Sequence, residues 1–341
     1  MLPAVFVRSV CACINTPEAS FAGADTVQQI IFIATHQLSS VDKRLIDHYS
    51  SNDLQRLPSS RLWVLMFQDE TQLSAPTPLP FISAPICVWD RKAIFDLFPR
   101  LRNTTRLIER QTRAASPARS ERYFHLYFFM HTALAVWHRS FGSVFPRLRY
   151  FWRIEPDVLV SSPEGWAGML QRTSSDVADV LVPAIEYEPN TSARVRPTFC
   201  FGRTRSHCFR QGSSAYRVLS GGTWPQRLWS LVSVGRFSTR FVLGLMARQW
   251  SSGALGFEEV FLPSTCAASP RCELGVLDAE MSRRVRFQPE WDCQTFLDAH
   301  QSGSRMPLLW HPIKQRACYA SFLEQRDPNA TAIQGRTSQR T

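Results

Sequence analysis

The stretch Gln29–Thr35, QIIFIAT, is followed by Val41–Tyr49 with apolar residues at helical spacing, and then by Arg61–Phe67, RLWVLMF. The first and third segments are apolar without alternation, the pattern of strands buried on both faces in a parallel sheet. Strand, helix, strand in that order predicts a βαβ unit and hence an α/β protein. Working outward, Trp89–Leu101 has helical spacing, Tyr123–Arg139 is apolar on nearly all sides and predicts a buried helix, and Gly165–Arg172 predicts another. Val177–Ile185 and Arg284–Phe287 predict short strands, Arg217–Leu219, the Gly221-Gly222 turn and Phe237–Trp250 together predict a strand or turn followed by a long amphipathic helix, and Leu308–Lys314 closes the ordered part. Thr71–Pro85 holds four prolines and, with Pro189–Ser214, is expected as loop; Arg102–Arg122 is expected as a basic surface excursion. There is no internal repeat.

With 341 residues the chain can bury a full core, in one large domain or two smaller ones. Hydrophobic residues make up 44% and charged residues 20%, which excludes the disordered class. The net charge of +11 is carried mostly by arginine, since only Lys43, Lys92 and Lys314 are lysines. Arginine suits bidentate contact with phosphate or carboxylate, so nucleic acid, a nucleoside diphosphate and an anionic membrane face are the anionic partners to weigh. The nine cysteines include no C-x-x-C pair, and Cys11 and Cys13 suit neither a zinc knuckle nor a mutual disulfide. Cys200 with Cys208, and Cys266 with Cys272, are spaced to close small loops, which fits an oxidising compartment. Sequons at Asn103, Asn190 and Asn329 lean toward the same secretory route. No run approaches the roughly 20 apolar residues of a membrane span. The apolar opening Met1–Ile14, interrupted by Arg8, fits a weak signal, an anchor remnant or a first strand.

The chemistry concentrates in Tyr150–Ser161, YFWRIEPDVLVS. Pro156 fixes its own φ, removes an N–H and biases Glu155 toward extended backbone, so an aromatic strand turns at Glu-Pro-Asp and re-emerges as strand. Glu155 and Asp157 are thereby presented at the edge of a buried sheet, where carboxylates need solvent, a cation or a divalent metal. Downstream, Glu258 and Glu259 in ALGFEEVFLPSTCA supply a candidate general base. His311 and Lys314 in LLWHPIK supply an imidazole that can complete a metal shell and an ammonium that can hold a phosphate. Singly, each has an ordinary explanation: a solvated turn, an acidic helix start, a histidine satisfied by its neighbours. Taken together they form a coherent metal–diphosphate site. Arg236 is a further candidate for the diphosphate, set against a solvated helix-start arginine. Trp224, Trp229 and Trp250 either stack on a sugar ring or pack in the core.

GxGxxG, P-loop, GxSxG and HExxH signatures are all missing, which argues against a dinucleotide dehydrogenase, a P-loop kinase, an ordinary esterase and a zincin. A glycosidase pair is disfavoured too, because Glu155 and Asp157, two residues apart on extended backbone, point the same way and are too close to flank a glycosidic bond.

On these residues the chain resembles Golgi-type glycosyltransferases of the GT-A nucleotide-diphospho-sugar fold. The likeness is to fungal and algal families in which a W-R-x-E-x-D or W-R-V-E-P element stands where other GT-A enzymes carry DxD, as in yeast-type α-1,2-mannosyltransferases; it is matched here by Trp152-Arg153-Ile154-Glu155-Pro156. It spans roughly residues 27–328, with its specific segments in IIFIATHQLS, FWRIEPDV, GFEEVFLPSTCA and LWHPIK. The resemblance implies an α/β, GT-A-like (Rossmann-like) mixed, mainly parallel sheet flanked by helices. It divides the chain into an N-terminal segment 1–25 (anchor remnant or signal), a glycosyltransferase domain 26–328 and a polar tail 329–341. It implies that Thr35 and His36 lie near the nucleoside, that Glu155 and Asp157 hold Mn²⁺ or Mg²⁺, that His311 and Lys314 complete the diphosphate site, and that Glu258 or Glu259 faces the acceptor. The donor would be a UDP- or GDP-sugar, and the acceptor a glycan, protein or lipid, in the Golgi or secretory pathway with possible membrane association. The motif is EPD rather than DxD, which leaves the division of ligand duty between Glu155 and Asp157 open. If the transfer inverts configuration, Glu258 or Glu259 is the base; if it retains, that role lapses. The competing expectations are a catalytically silent GT-A-like binding module and, less favoured because its basic residues are spread and no RNP, KH or zinc-finger pattern is present, a nucleic-acid-binding protein.

Overall fold

The computed structural model describes residues 12–14, 21–36, 38–54, 57–67, 82–115, 128–162, 164–187, 198–200, 208–210, 228–286, 289–302 and 307–326. In chain order the elements are β1 (Ala12–Ile14), β2 (Gln29–Thr35), α1 (Ser40–His48), β3 (Ser60–Phe67), β4 (Ile86–Trp89), α2 (Arg91–Leu97), α3 (Leu101–Ala115), α4 (Thr132–Phe141), β5 (Tyr150–Ile154), β6 (Leu159–Ser161), α5 (Gly165–Arg172) and β7 (Val180–Val182). There follow β8 (Glu186–Tyr187), β9 (Thr198–Cys200), β10 (Cys208–Arg210), β11 (Leu228–Trp229), β12 (Val234–Ser238), α6 (Ala247–Ser252), α7 (Glu258–Ala267), β13 (Leu274–Val276), α8 (Ala279–Ser282), β14 (Arg284–Val285), α9 (Cys293–Gln301), β15 (Leu308–His311) and α10 (Arg316–Arg326).

Eight strands form the main sheet in the order β1-β4-β3-β2-β5-β12-β7-β13. β4, β3, β2, β5, β7 and β13 run parallel; edge strand β1 and inner strand β12 run against them. This is a mixed, mainly parallel, Rossmann-like sheet flanked by helices, the α/β architecture that the residue pattern predicted and the form that the resemblance implied. Along β2, Ile30, Phe32 and Ala34 join one core with Trp63, Trp137 and Phe151, while Ile31 and Ile33 join the other with Trp152, Ile154 and Trp166. Both faces of the sheet are covered, so the strand needs no polar alternation. α1 starts at Ser39, whose hydroxyl accepts from the Asp42 N–H while the Asp42 carboxylate accepts from the Ser39 N–H.

From β2 the chain moves one way to β3 and β4, then returns to the opposite side of β2 at β5. The carboxyl ends of β2 and β5 therefore flank the topological switch point, where open α/β sheets bind ligands. Ile33 lies opposite Ile154, so Thr35 is level with Pro156. A smaller three-stranded sheet, β14-β15-β6, abuts this end.

Several expectations are corrected. Trp89 ends β4, and the helical spacing after it splits into α2, capped by Asp90, and α3. The expected basic excursion is in its first part the helix α3: Leu101, Thr105 and Ile108 are buried at helical spacing, a stripe that the surrounding arginines dilute in sequence. Residues 116–127 lie outside the described residues. Phe237 belongs to β12, and the helical part starts after it with a wide π-type segment, Arg240–Met246. Leu308–Lys314 does not close the fold, since α10 follows and packs Cys318, Phe322 and Leu323 into the core. Ala12–Ile14 pairs with β4, so a boundary at residue 25 cuts through the sheet. The 329–341 tail lies outside the described residues.

Cys266 and Cys272 form the expected small-loop disulfide. A second, Cys293–Cys318, ties α9 to α10 and was not legible in the spacing. Cys87, opposite Cys13 in the β1–β4 pair, is also disulfide-bonded. Cys200 faces Cys208 across the β9–β10 pair. Among the described residues no helix is long and apolar enough to cross a membrane.

Candidate metal and acceptor site

The Glu155-Pro156-Asp157 turn bridges the two sheets: β5 ends at Ile154 and β6 begins at Leu159. The Val158 N–H donates to the Glu155 carbonyl at 3.1 Å, closing a β-turn with proline at its second position. Trp310 is the register partner of Leu159, which brings His311 level with the turn, and the Ile313 N–H donates to the Asp157 carbonyl at 3.0 Å. Sequence separation of about 150 residues is thus cancelled by one antiparallel strand pair.

His311 Nε2 lies 3.4 Å from Glu155 Oε2 and 3.6 Å from Asp157 Oδ1. One donor atom from each of the three residues falls within 4.8 Å of the others. A cation bound at about 2.0–2.2 Å to each donor needs donors roughly 3 Å apart, so small side-chain adjustments suffice. His311 Nδ1 is 2.8 Å from the Arg286 carbonyl oxygen, an acceptor that places the proton on Nδ1 and turns the Nε2 lone pair toward the carboxylates. Two carboxylates and an outward-facing imidazole nitrogen fit Mn²⁺ or Mg²⁺ as a donor set, and Glu155 and Asp157 can share the ligand duty.

Arg153 organises Glu155. Its side chain is buried; Nη1 donates to the Val232 carbonyl, and Nη2 to Glu155 Oε1 at 2.9 Å. Burial raises the Glu155 pKa, but Arg153 and His311 outweigh it and hold the carboxyl down at about 2. Asp157 moves the other way, raised by burial and by the negative Glu155. Burial lowers the His311 pKa, and the two carboxylates more than reverse this, so the net shift is upward. Lys314 is exposed and its charge opposes the rise of Asp157, which puts it within electrostatic reach of the turn.

The adjacent acidic residues of α7 part company. Glu258 is buried, accepts from the His131 backbone N–H at 2.6 Å and lies 2.7 Å from His131 Nδ1. Burial lowers the His131 pKa despite that contact, so the pair is an internal hydrogen-bonded anchor between α7 and the start of α4. The expectation that Glu258 faces the acceptor is therefore corrected. Glu259, half-buried, lies within electrostatic reach of Glu155 instead. Burial first, and then the charge of Glu155, push its pKa up to about 8. Trp229 Nε1 donates to Glu259 Oε2 at 3.2 Å, and among the described residues Oε1 has no hydrogen-bond partner. A carboxyl with a pKa of about 8 is a group suited to accepting a proton at neutral to mildly alkaline pH.

No protein-family model matches this chain, and a search of curated proteins returns no match either.

The remaining sequence candidates divide. Thr35 is buried at the end of β2 and His36 exposed just beyond it, both at the switch point. A mostly apolar pocket between β2, α1 and the Glu155-Pro156 turn is lined by Ile33, Leu45, Tyr49, Ile154, Glu155 and Pro156, and neither Thr35 nor His36 lines it. Arg236 is corrected: it is fully buried in β12, donating to Thr173 O at 2.7 Å and Asp176 Oδ1 at 2.6 Å and stacking 4.2 Å over the Tyr150 ring. Those partners engage both Nη atoms inside the protein, and it holds the α5–β7 connection rather than a diphosphate. Trp250 is core, Trp229 is half-buried beside Glu259, and Trp224 lies outside the described residues. Sequence reading missed two supporting groups. Arg153 was legible two residues before Glu155 on the same strand face, whereas the Arg286 carbonyl had no signal at all, because every residue carries one.

Proposed function

We propose that this chain is a metal-dependent glycosyltransferase that moves a sugar from a UDP- or GDP-sugar to a glycan, protein or lipid acceptor along the secretory route. The observation that carries this reading is the meeting of Glu155, Asp157 and His311 at the switch point of a Rossmann-like sheet, with Glu259 within electrostatic reach of Glu155. The W-R-I-E-P element supports it by resemblance, and the disulfides fit an oxidising compartment.

A divalent cation held by Glu155, Asp157 and His311 would neutralise charge building on the leaving diphosphate. Lys314, exposed beside the turn, adds a positive charge for the same oxygens. Arg153 keeps Glu155 ionised and fixed in direction. In a single-displacement transfer, Glu259 Oε1 takes the proton of the acceptor hydroxyl as the new bond to the sugar forms and the bond to the diphosphate breaks. Trp229 holds the other oxygen of Glu259 still while this happens.

The test is titration of the protein with UDP and GDP, with and without Mn²⁺, followed by calorimetry. Manganese-dependent binding of one nucleotide, lost in Glu155→Gln, is the expected outcome. Absence of binding to either nucleotide would overturn the proposal.

A further inference from the structure

Trp229 differs from the other described tryptophans. Trp63, Trp89, Trp137, Trp152, Trp166, Trp250 and Trp310 are buried. Trp291 is half-buried, but its faces are occupied by the Arg286 guanidinium at 3.4 Å and by Trp310 at 5.1 Å. Trp229 is half-buried as well, and among the described residues no ring or guanidinium stacks on it; one side packs on the core, and the indole N–H is tied to Glu259. The ring is thus fixed in orientation with apolar surface left over. Glu186, exposed, is its cross-strand partner in the β8–β11 pair. Residues directly opposite on such a pair share a face, so a second carboxylate stands beside Trp229 on that face of the sheet.

Resting on the function proposed above, we propose that Trp229, Glu259 and Glu186 form the acceptor subsite, and that its occupant is a saccharide. A pyranose presents an apolar C–H face, which an indole covers, and a rim of hydroxyls, which carboxylates accept from. An indole with two carboxylates as neighbours matches that combination. A lipid alcohol would want an apolar groove with no flanking charge, and a peptide hydroxyl would leave the indole face uncovered. The hydroxyl nearest Glu259 Oε1 is the one that attacks. Trp229 acts as a positioning residue: it aims Glu259 and seats the sugar ring.

The test is saturation-transfer NMR of the full chain with Mn²⁺ and saturating UDP or GDP. The probes are methyl glycosides of mannose, glucose, galactose and N-acetylglucosamine, a serine-containing peptide and octanol. Ring-proton enhancement of at least one glycoside is expected, with affinity about tenfold weaker in Trp229→Ala and less reduced in Trp229→Phe, which keeps an aromatic face. Should Trp229→Ala fail to fold, Trp229→Phe and Glu186→Gln carry the comparison, each expected to weaken glycoside binding. Undiminished glycoside binding in the variants, no glycoside binding to the wild type, or preferential binding of peptide or octanol would each overturn the saccharide subsite. Loss of nucleotide binding with glycoside binding intact would instead overturn the glycosyltransferase reading and leave the subsite standing, so the two failures are told apart.

Discussion

His311 Nδ1 lies 2.8 Å from the carbonyl oxygen of Arg286, and that contact points Nε2 at Glu155 and Asp157. Because the acceptor is main chain, the side chain of Arg286 is not what orients the imidazole. Manganese-dependent nucleotide binding is expected to fall by at least about tenfold in His311→Phe and to change little in Arg286→Ala. Calorimetric titration of both variants checks this, and an equal loss in the two would mean that the guanidinium, not the carbonyl, matters.

Glu155 has two separable duties, ligand and partner of a buried guanidinium. Glu155→Gln keeps an oxygen for Arg153, whereas Glu155→Ala leaves the buried Arg153 without that acceptor. Both variants are expected to lose metal-dependent binding, but only the alanine variant should also lose about 1–3 kcal/mol of stability. Urea unfolding of the pair decides whether the two duties separate.

Glu259→Gln is expected to bind nucleotide as the wild type does and to turn over about 10²–10⁴-fold more slowly. The wild-type rate should rise with pH through about 8, where Glu259 loses its proton, and the variant should lack that limb. A matching loss of rate with the limb still present would assign the base elsewhere.

Stability carries the same group with the opposite sense. The folded pKa of Glu259 is about 8 against an ordinary value of 4.5, so the folded state holds the proton more tightly than the unfolded chain does. Its stabilising contribution is full below about pH 4.5 and is lost as pH rises through about 8. The wild type is therefore expected to lose stability relative to Glu259→Gln across that window, read as a difference in Tm measured at several pH values. A difference that does not vary with pH would show that Glu259 is ionised in the fold.

The Cys293–Cys318 bridge joins α9 to α10 on either side of β15, the strand that delivers His311. Closing a loop of that size is worth about 3 kcal/mol, so Cys293→Ser with Cys318→Ser should lower the unfolding midpoint accordingly. Metal-dependent binding should survive at temperatures where the variant is folded. Loss of binding in the folded variant would show that the bridge also shapes the site.

Glu258→Gln is a control for the division of labour in α7. It perturbs the buried contact with His131 and should cost about 1–3 kcal/mol of stability without removing the alkaline limb of the rate profile.

What was legible in the residues was local. The unbroken apolar runs Ile30–Ala34 and Leu62–Phe67 determine strands buried on both faces, because nothing polar along them could meet water, and their order with α1 determines a parallel pair. The proline in Glu155-Pro156-Asp157 likewise determines a turn that presents two carboxylates. Other features depended on which surfaces pack together. Glu258 and Glu259 are chemically identical neighbours, and only the rotation of α7 sends one to His131 in the core and the other to Trp229. Arg236 looked like any cationic ligand residue until the β12 pairing buried it against Asp176 and Tyr150. The spacing of cysteines could suggest the Cys266–Cys272 loop but not Cys293–Cys318, whose partners meet because two helices dock. Residue type dictates which groups need a partner; the register of strands and the rotation of helices decide which partner each one meets.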